Sequence, residues 1–291
     1  MVNAAWIDRL RRVRRVRPPE LEGGRWLETR AGRLRAVERG DPGAPPVLLV
    51  PDPPNGLEQL APLIADLARD RRVLAVEAPG FGYSGTAPGY GFGLEAMADL
   101  LVELLEGLGR PAVLGLTCVV TLAGLRAAHR RPDLVSGLVL GQTAGPAELL
   151  AWARRVDPWG LVGTPVVGQL LVRSFAPRVA RAWYRAALPR DADPAPLLDP
   201  ALEALARGAR FPLASSFQAL RRADLRPEGL TSQAPAVVLF GTADRTHRRT
   251  DPASVLALVP RAELRRLEGC GHFPDLERVD AFAAAVREVG R

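Results

Sequence analysis

The sequence predicts an α/β fold, a mainly parallel central sheet with helices on both faces and an inserted helical cap. Three observations carry this. From PPVLLV onward, apolar runs of strand length alternate with longer runs of helical period, the pattern of parallel strands joined by crossover helices. The alternation stops after SGLVLGQT at 136 to 143 and resumes at PAVVLFGTAD, with a stretch rich in Arg, Ala, Leu and Trp between. Finally, 291 residues of which 47% are apolar suffice for a sizeable core.

Taken in order, RWLETRAG and RLRAVERGD read as two short strands about a glycine turn, and PPVLLV as a fully buried third strand. The helix LEQLAPLIADLARD and the strand RVLAVEAP follow. LEAMADLLVELLEGLG has apolar residues at spacings of three and four and stops at a glycine, so it is a helix. PAVLGL is the next strand, and a helix through Arg131 ends before Pro132. After SGLVLGQT and the interruption come PAVVLFGTAD, a helix starting near Asp251, the strand ELRRLEG and the closing helix VDAFAAAVREV. The expected organisation is a basic helical arm at 1–24, a core formed by 25–144 with 231–291, and the helical cap at 145–230. Trp152, Trp159, Trp183, Phe175 and Phe217 fall in the cap, where they form either its own small core or the aromatic lining of a pocket for an apolar ligand.

The formal charge of +7 comes entirely from arginine, because the chain has no lysine, and this points to a GC-rich coding bias. Arginines cluster only in RLRRVRRVR at 9–17, which reads as a solvated or membrane-brushing amphipathic helix, so nucleic acid is not an expected partner. No run approaches the ~18 apolar residues of a membrane span, and the N-terminus lacks the apolar stretch of a signal peptide, so a cytoplasmic protein is expected. Cys118 and Cys270 make no disulfide framework, and His129, His247 and His272 have no paired spacing, so no metal is expected.

The order of elements and three local stretches, VEAPGFGYSG at 76–85, FGTAD at 240–244 and EGCGHFPDLERVDAF at 268–282, resemble the α/β-hydrolase family from Arg25 to Val289. The resemblance implies that fold, with Asp244 as the triad acid and His272 as the triad base and no cofactor. Only imidazole takes and returns a proton near neutral pH, and a buried carboxylate fixes its tautomer. His247, three residues past Asp244, reads as a surface loop residue, His129 as solvated and Cys270 as packing.

The family's Gly-x-Ser-x-Gly elbow is absent, and the corresponding stretch reads GLTCVVTLAG. Matching Gly115 to the first glycine puts Thr117 at the nucleophile position. Counting from the flanks favours Cys118, since Pro132 stands 14 residues beyond it, the family's usual spacing, and the count back to Pro111 needs no gap. An unbranched, nucleophilic Cys also suits a strained elbow better than Thr. Val119 and Val120 stand where the family has small residues, so a reshaped elbow is expected. A small buried Cys without reactivity is the alternative.

PDPPNG at 51–56 replaces the family's oxyanion loop. Gapless matching puts Pro51 and Asp52 in place of His-Gly, and Pro53, which has no N–H, at the donor position. Loss of one oxyanion donor costs ~3 kcal/mol of transition-state stabilisation, and Asp52 adds a repelling charge.

These readings together point to a non-hydrolytic enzyme of bacterial, polyketide-like secondary metabolism. It would catalyse a cyclisation, elimination or lyase step on a small apolar metabolite, free or carrier-protein-linked, with His272 and Asp244 as acid/base and Cys118 and Asp52 in support. The expected substrate contacts are Pro53, Thr117, Val119, Trp152, Trp159, Phe217 and Phe273. A cysteine-dependent thioesterase using Cys118, His272 and Asp244, and a decayed ligand-binding protein, are the alternatives, and a homodimer is left open.

Overall fold

The computed structural model describes residues 17–290. Most of the basic stretch lies outside them, and residues 17–23 form no helix, so the described part of the expected arm is extended chain and turn.

Eight strands form one sheet: β1 (Gly24–Thr29), β2 (Gly32–Arg39), β3 (Pro46–Val50), β4 (Arg72–Val76), β5 (Ala112–Thr117), β6 (Val135–Gly141), β7 (Ala236–Gly241) and β8 (Ala262–Leu267). Their spatial order is β1-β2-β4-β3-β5-β6-β7-β8. β1 and β2 form a hairpin, β2 runs antiparallel to β4, and from β4 to β8 every pairing is parallel. The chain starts in the middle of the parallel part with β3, winds one way to β4, then returns past β3 to β5 and beyond. That reversal opens a crevice at the carboxyl ends of β3 and β5, where open α/β sheets place their ligands.

The two-residue period of the strands sorts the core into two layers. Leu48, Val50, Leu114, Leu116, Leu138 and Leu140 face one side and pack with α2 (Leu94–Leu108) and α3 (Val120–Arg130). Val47, Leu49, Val113, Val139, Val237 and Leu239 face the other, against α1 (Leu57–Leu67) and the last helix (Val279–Val289). Burying each such side chain is worth about 2 kcal/mol, so both faces must be covered, as the apolar strand composition requires. α2 stops at Gly109, which takes φ +74° and closes the helix with a hydrogen bond from its N–H to Glu106.

Between the neighbouring strands β6 and β7 the chain forms α4 (Pro146–Val156), α5 (Val167–Ala187), α6 (Ala195–Ala204) and α7 (Arg210–Leu220). Tyr184 and Leu188 at the end of α5 pack with Leu198, Ala201 and Phe273 in a third cluster, tying these helices to the loop that carries His272. The helix expected from Asp251 is only a 3₁₀ turn, Pro252–Ala257. Asp251 accepts from the N–H of Ala253 and starts it, but Pro260 and the onset of β8 leave no room for an α-helix. α8 (Pro274–Glu277) and α9 (Val279–Val289) complete the chain. Among the described residues no helix is long and apolar enough to cross a membrane.

Candidate active site

β5 ends at Thr117, and the next residue, Cys118, takes φ +57° before α3 begins. A side chain rarely adopts that conformation, so it needs surrounding bonds to hold it. The Cys118 N–H donates to Gly141 at 2.9 Å, and its carbonyl accepts from the Thr121 N–H at 3.1 Å and from the Thr121 hydroxyl. The valines after it do not open the turn. Close approach of helix and strand is provided further on by Gly124, where a Cβ would meet Leu116 at 2.3 Å, and within the strand by Gly115, where it would meet Leu49 at 2.6 Å. Thr117 remains in the strand, fully buried between Gly141 and Asp275.

Asp244 follows β7. One carboxylate oxygen accepts from the Thr246 N–H and hydroxyl at 2.8 and 2.7 Å. The other accepts from Gln142 Nε2 at 2.8 Å and lies 2.7 Å from His272 Nδ1. Burial opposes its ionisation, but His272 and Thr246 outweigh it and hold the carboxyl at about 2. Gln142, which also accepts from the Gly241 N–H at 2.8 Å, is a supporting residue that the sequence did not reveal.

His272 is fully buried, anchored by its N–H to Ala187 at 2.9 Å and enclosed by the rings of Trp183 and Phe273 at 4.8 and 4.9 Å. Its Nε2 makes no hydrogen bond to another described residue and lies 3.6 Å from the Asp52 carboxylate. Burial presses the imidazole down, yet Cys118, Asp244 and Asp52 together hold it well above its ordinary value. Asp52 is itself pushed up by burial, against the pull of His272. Burial and then Asp52 push the Cys118 thiol up, with His272 and the Val119 N–H countering.

His247 is not a surface residue. It is 1% exposed, stacked on Trp152 at 5.1 Å and 13°, with its ring 5.1 Å from that of His272. Cys118 Sγ and one ring nitrogen each of His247 and His272 lie within 4.8 Å of one another. Burial, then the neighbouring His272 charge, drive His247 down to about 3, so it is neutral at any working pH. Neither of its nitrogens has a hydrogen-bond partner among the described residues. A thiol and two imidazoles are donor types that bind zinc. Their positions are already accounted for by Asp244 and by the stacking of Trp152 and Trp183. A second unexpected group is Asp275, a buried carboxyl pushed up to about 7 by burial.

Above this cluster lies a cavity of about 580 Å³. Of the expected substrate contacts, Pro53, Val119, Trp152, Trp159 and Phe217 line it, as do Asp52 and Cys118. Thr117 and Phe273 do not. Thr117 is fully buried beside Gly141 and Asp275, and Phe273 is fully buried against Tyr184 and Leu198. His272 is not itself a lining residue and packs against three that are, Asp52, Cys118 and Trp183. Trp183, Tyr184 and Phe175 join the lining, so six of the seven aromatic residues between β6 and β7 line the cavity, Phe211 being the exception. The loop after β3 is held from within and from α5: the Asn55 N–H donates to the Asp52 carbonyl at 3.0 Å, and Asn55 Oδ1 accepts from Tyr184 at 2.8 Å and Gln59 at 2.7 Å.

The sequence matches the alpha/beta hydrolase family over residues 47–285. It is 32% identical over 281 residues to the polyketide synthase ThaQ of Burkholderia thailandensis, covering 89% of this chain but spanning only 12% of that protein. It is 28% identical over 284 residues to haloalkane dehalogenase 2 of Mycobacterium tuberculosis, covering 91% of this chain and 93% of that one. Among solved structures, the haloalkane dehalogenase DbeA of Bradyrhizobium elkani superposes with a TM-score of 0.72 at 20% identity, over 91% of this chain and 97% of that one. An epoxide hydrolase from an endophytic Streptomyces superposes equally well, with a TM-score of 0.72 at 18% identity, over 92% and 96%. The winding of the sheet, the turn at Cys118 and a match over most of the length agree, and the chain belongs to the α/β-hydrolase family.

Proposed function

We propose that this chain is a cysteine-dependent acyl-transfer enzyme. It takes an apolar acyl thioester of polyketide type onto Cys118 and releases the acyl group to water or to a hydroxyl of the same acyl chain. One observation carries the reading: Cys118 sits at the left-handed turn between β5 and α3, at the floor of the apolar cavity, with Sγ beside a His272 that Asp244 orients. The polyketide synthase relative supports the acyl class, and the cavity lining supports an apolar chain.

The reactive state is the Cys118 thiolate with its proton on His272 Nε2. The sulfur bonds to the thioester carbonyl carbon, the carbon–sulfur bond to the leaving thiol breaks, and that thiol departs with the Nε2 proton. Water or a substrate hydroxyl then attacks the acyl-cysteine and gives its proton to Nε2, and Cys118 is freed. The Val119 N–H is one donor to the tetrahedral oxygen. Pro53 has none to offer, and the neutral His247, with an N–H lacking any partner, takes the second place from the β7 side, away from the Asp52 charge.

A second reading, the cyclisation, elimination or lyase step, is favoured by the Asp52 carboxylate 3.6 Å from Nε2, which suits proton transfer without a tetrahedral intermediate. Thiol release from acyl-N-acetylcysteamine thioesters of increasing chain length separates the two. Cys118→Ala should fall to the uncatalysed rate and His272→Ala should lose about 10²- to 10⁴-fold. Retention of turnover in Cys118→Ala with its loss in Asp52→Asn would overturn the nucleophilic reading in favour of the second.

A further inference from the structure

All the exposed large apolar side chains among the described residues except Trp26 fall between Val156 and Val179. Trp159 is 84% exposed, Val179 60%, Leu170 55% and Phe175 47%. Trp159, Phe175 and Val179 also line the cavity, so its mouth opens inside this patch, while Val167 and Leu170 extend the patch beyond the rim. Isolated exposed apolar residues need no explanation, but a concentration at a cavity mouth does.

The charge along this segment is of one sign, and the nearest exposed carboxylates in the chain, Asp191 and Asp193, follow its end. Residues 158–190 hold five arginines and no Asp or Glu. Arg173, Arg178, Arg181, Arg185 and Arg190 are all exposed, and none is paired with a carboxylate among the described residues. Asp157, just before the segment, is buried and held by Arg221. Some arginines on other faces are neutralised, Arg130 by Glu95 and Asp99, and Arg287 by Asp66 and Asp70, while others such as Arg110 and Arg261 likewise lack a carboxylate partner among the described residues; what marks this face is five arginines with no acidic residue interleaved. A second copy of this face would bring like charges together. So would the chain's own N-terminal stretch, with six arginines between positions 9 and 17. The fitting occupant is anionic at its surface and apolar beneath it. A contiguous apolar patch at a cavity mouth beside a row of arginines on α5 suits an anionic lipid interface, which takes up apolar side chains and offers negative charge above them.

We propose that α5 and the loop before it dock on an anionic lipid surface, so that an apolar substrate passes from the bilayer through the mouth ringed by Trp159, Phe175 and Val179 without crossing water. The proposal stands whether or not Cys118 is the nucleophile. It is tested by co-sedimentation of the full chain with vesicles of phosphatidylcholine alone and of phosphatidylcholine mixed with phosphatidylglycerol. The expected result is binding to the mixed vesicles, weakened by salt, and reduced about tenfold or more in Val167→Ser/Leu170→Ser and in Arg178→Gln/Arg181→Gln. Those positions lie outside the cavity lining, and a thermal melt confirms that the variants fold. Absence of binding overturns the proposal. So does binding that the variants leave intact, which would assign it to the N-terminal stretch. Self-association, or capture of an acidic carrier protein that these substitutions abolish while vesicles are ignored, would overturn it in favour of a protein partner.

Discussion

Asp52 and His247 both stand close to the thiol, one carrying charge and the other neutral. The Asp52 charge raises the Cys118 thiol beyond what burial alone does, so removing it lowers the thiol and puts more of it in the thiolate form at a given pH. Asp52→Asn is therefore expected to be alkylated by iodoacetamide at Cys118 several-fold faster at neutral pH. Its rate profile should move to lower pH, about tenfold in rate for each unit. Followed by mass spectrometry, an unmoved or raised profile would show that Asp52 does not govern the thiol. His247, neutral because burial holds it at about 3, contributes an N–H whose presence does not vary with working pH. His247→Phe keeps the stack on Trp152 and should lower kcat about ten- to a hundredfold with little change in KM or in the pH profile, and His247→Gln should recover part of the loss. Equal kcat in the Phe variant and the parent would exclude the donor role.

At the scale of elements, the site depends on how closely the end of β7 meets the loop that carries His272. A Cβ on Gly241 would lie 1.9 Å from the Gly271 carbonyl oxygen and 2.6 Å from that of Cys270, both backbone atoms that cannot rotate away. Gly241→Ala should destabilise the protein by about 3 kcal/mol or more, a fall of about 10 °C in Tm, and should displace His272 from Asp244. Gly107, inside α2 with nothing near its missing Cβ, is the contrast. Gly107→Ala should be neutral or raise the melting temperature slightly. Local chain patterns made much of this level legible. The period of LEAMADLLVELLEGLG gave α2 and its glycine stop, and the proline flanks distinguished Cys118 from Thr117, which the motif glycine alone did not. His247 was not legible. THRRT has the composition of a surface loop, and the residue is buried by Trp152, a contact between residues 95 positions apart that leaves no local trace. The helix expected after Asp251 failed for a related reason: the cap was readable, but the closeness of β8 was not.

For the whole molecule, the mainly parallel sheet with helices on both faces followed from apolar strands alternating with amphipathic helices, because only a two-faced parallel sheet buries both sets, whereas the order of the strands did not follow from it. The inserted helices were legible as an interruption of that alternation. Their role was not, since apolar spacing on a helix looks the same whether the side chains fill a core or line a cavity. Trp159 and Phe175 are therefore distinguishable only in three dimensions. The same limit applies to PDPPNG: the missing donor was readable at Pro53, but nothing local showed that His247, from the loop after β7, comes to stand beside Cys118. The central claim is that Cys118 becomes acylated. It is tested most directly by incubating the protein with a medium-chain acyl-N-acetylcysteamine thioester, quenching in acid, and weighing the intact chain before mapping its peptides. The account predicts one added acyl group, located on Cys118 and absent in Cys118→Ala. An unmodified chain from a preparation that turns the thioester over with fast single-turnover kinetics, or an acyl group equally present in Cys118→Ala, would contradict it.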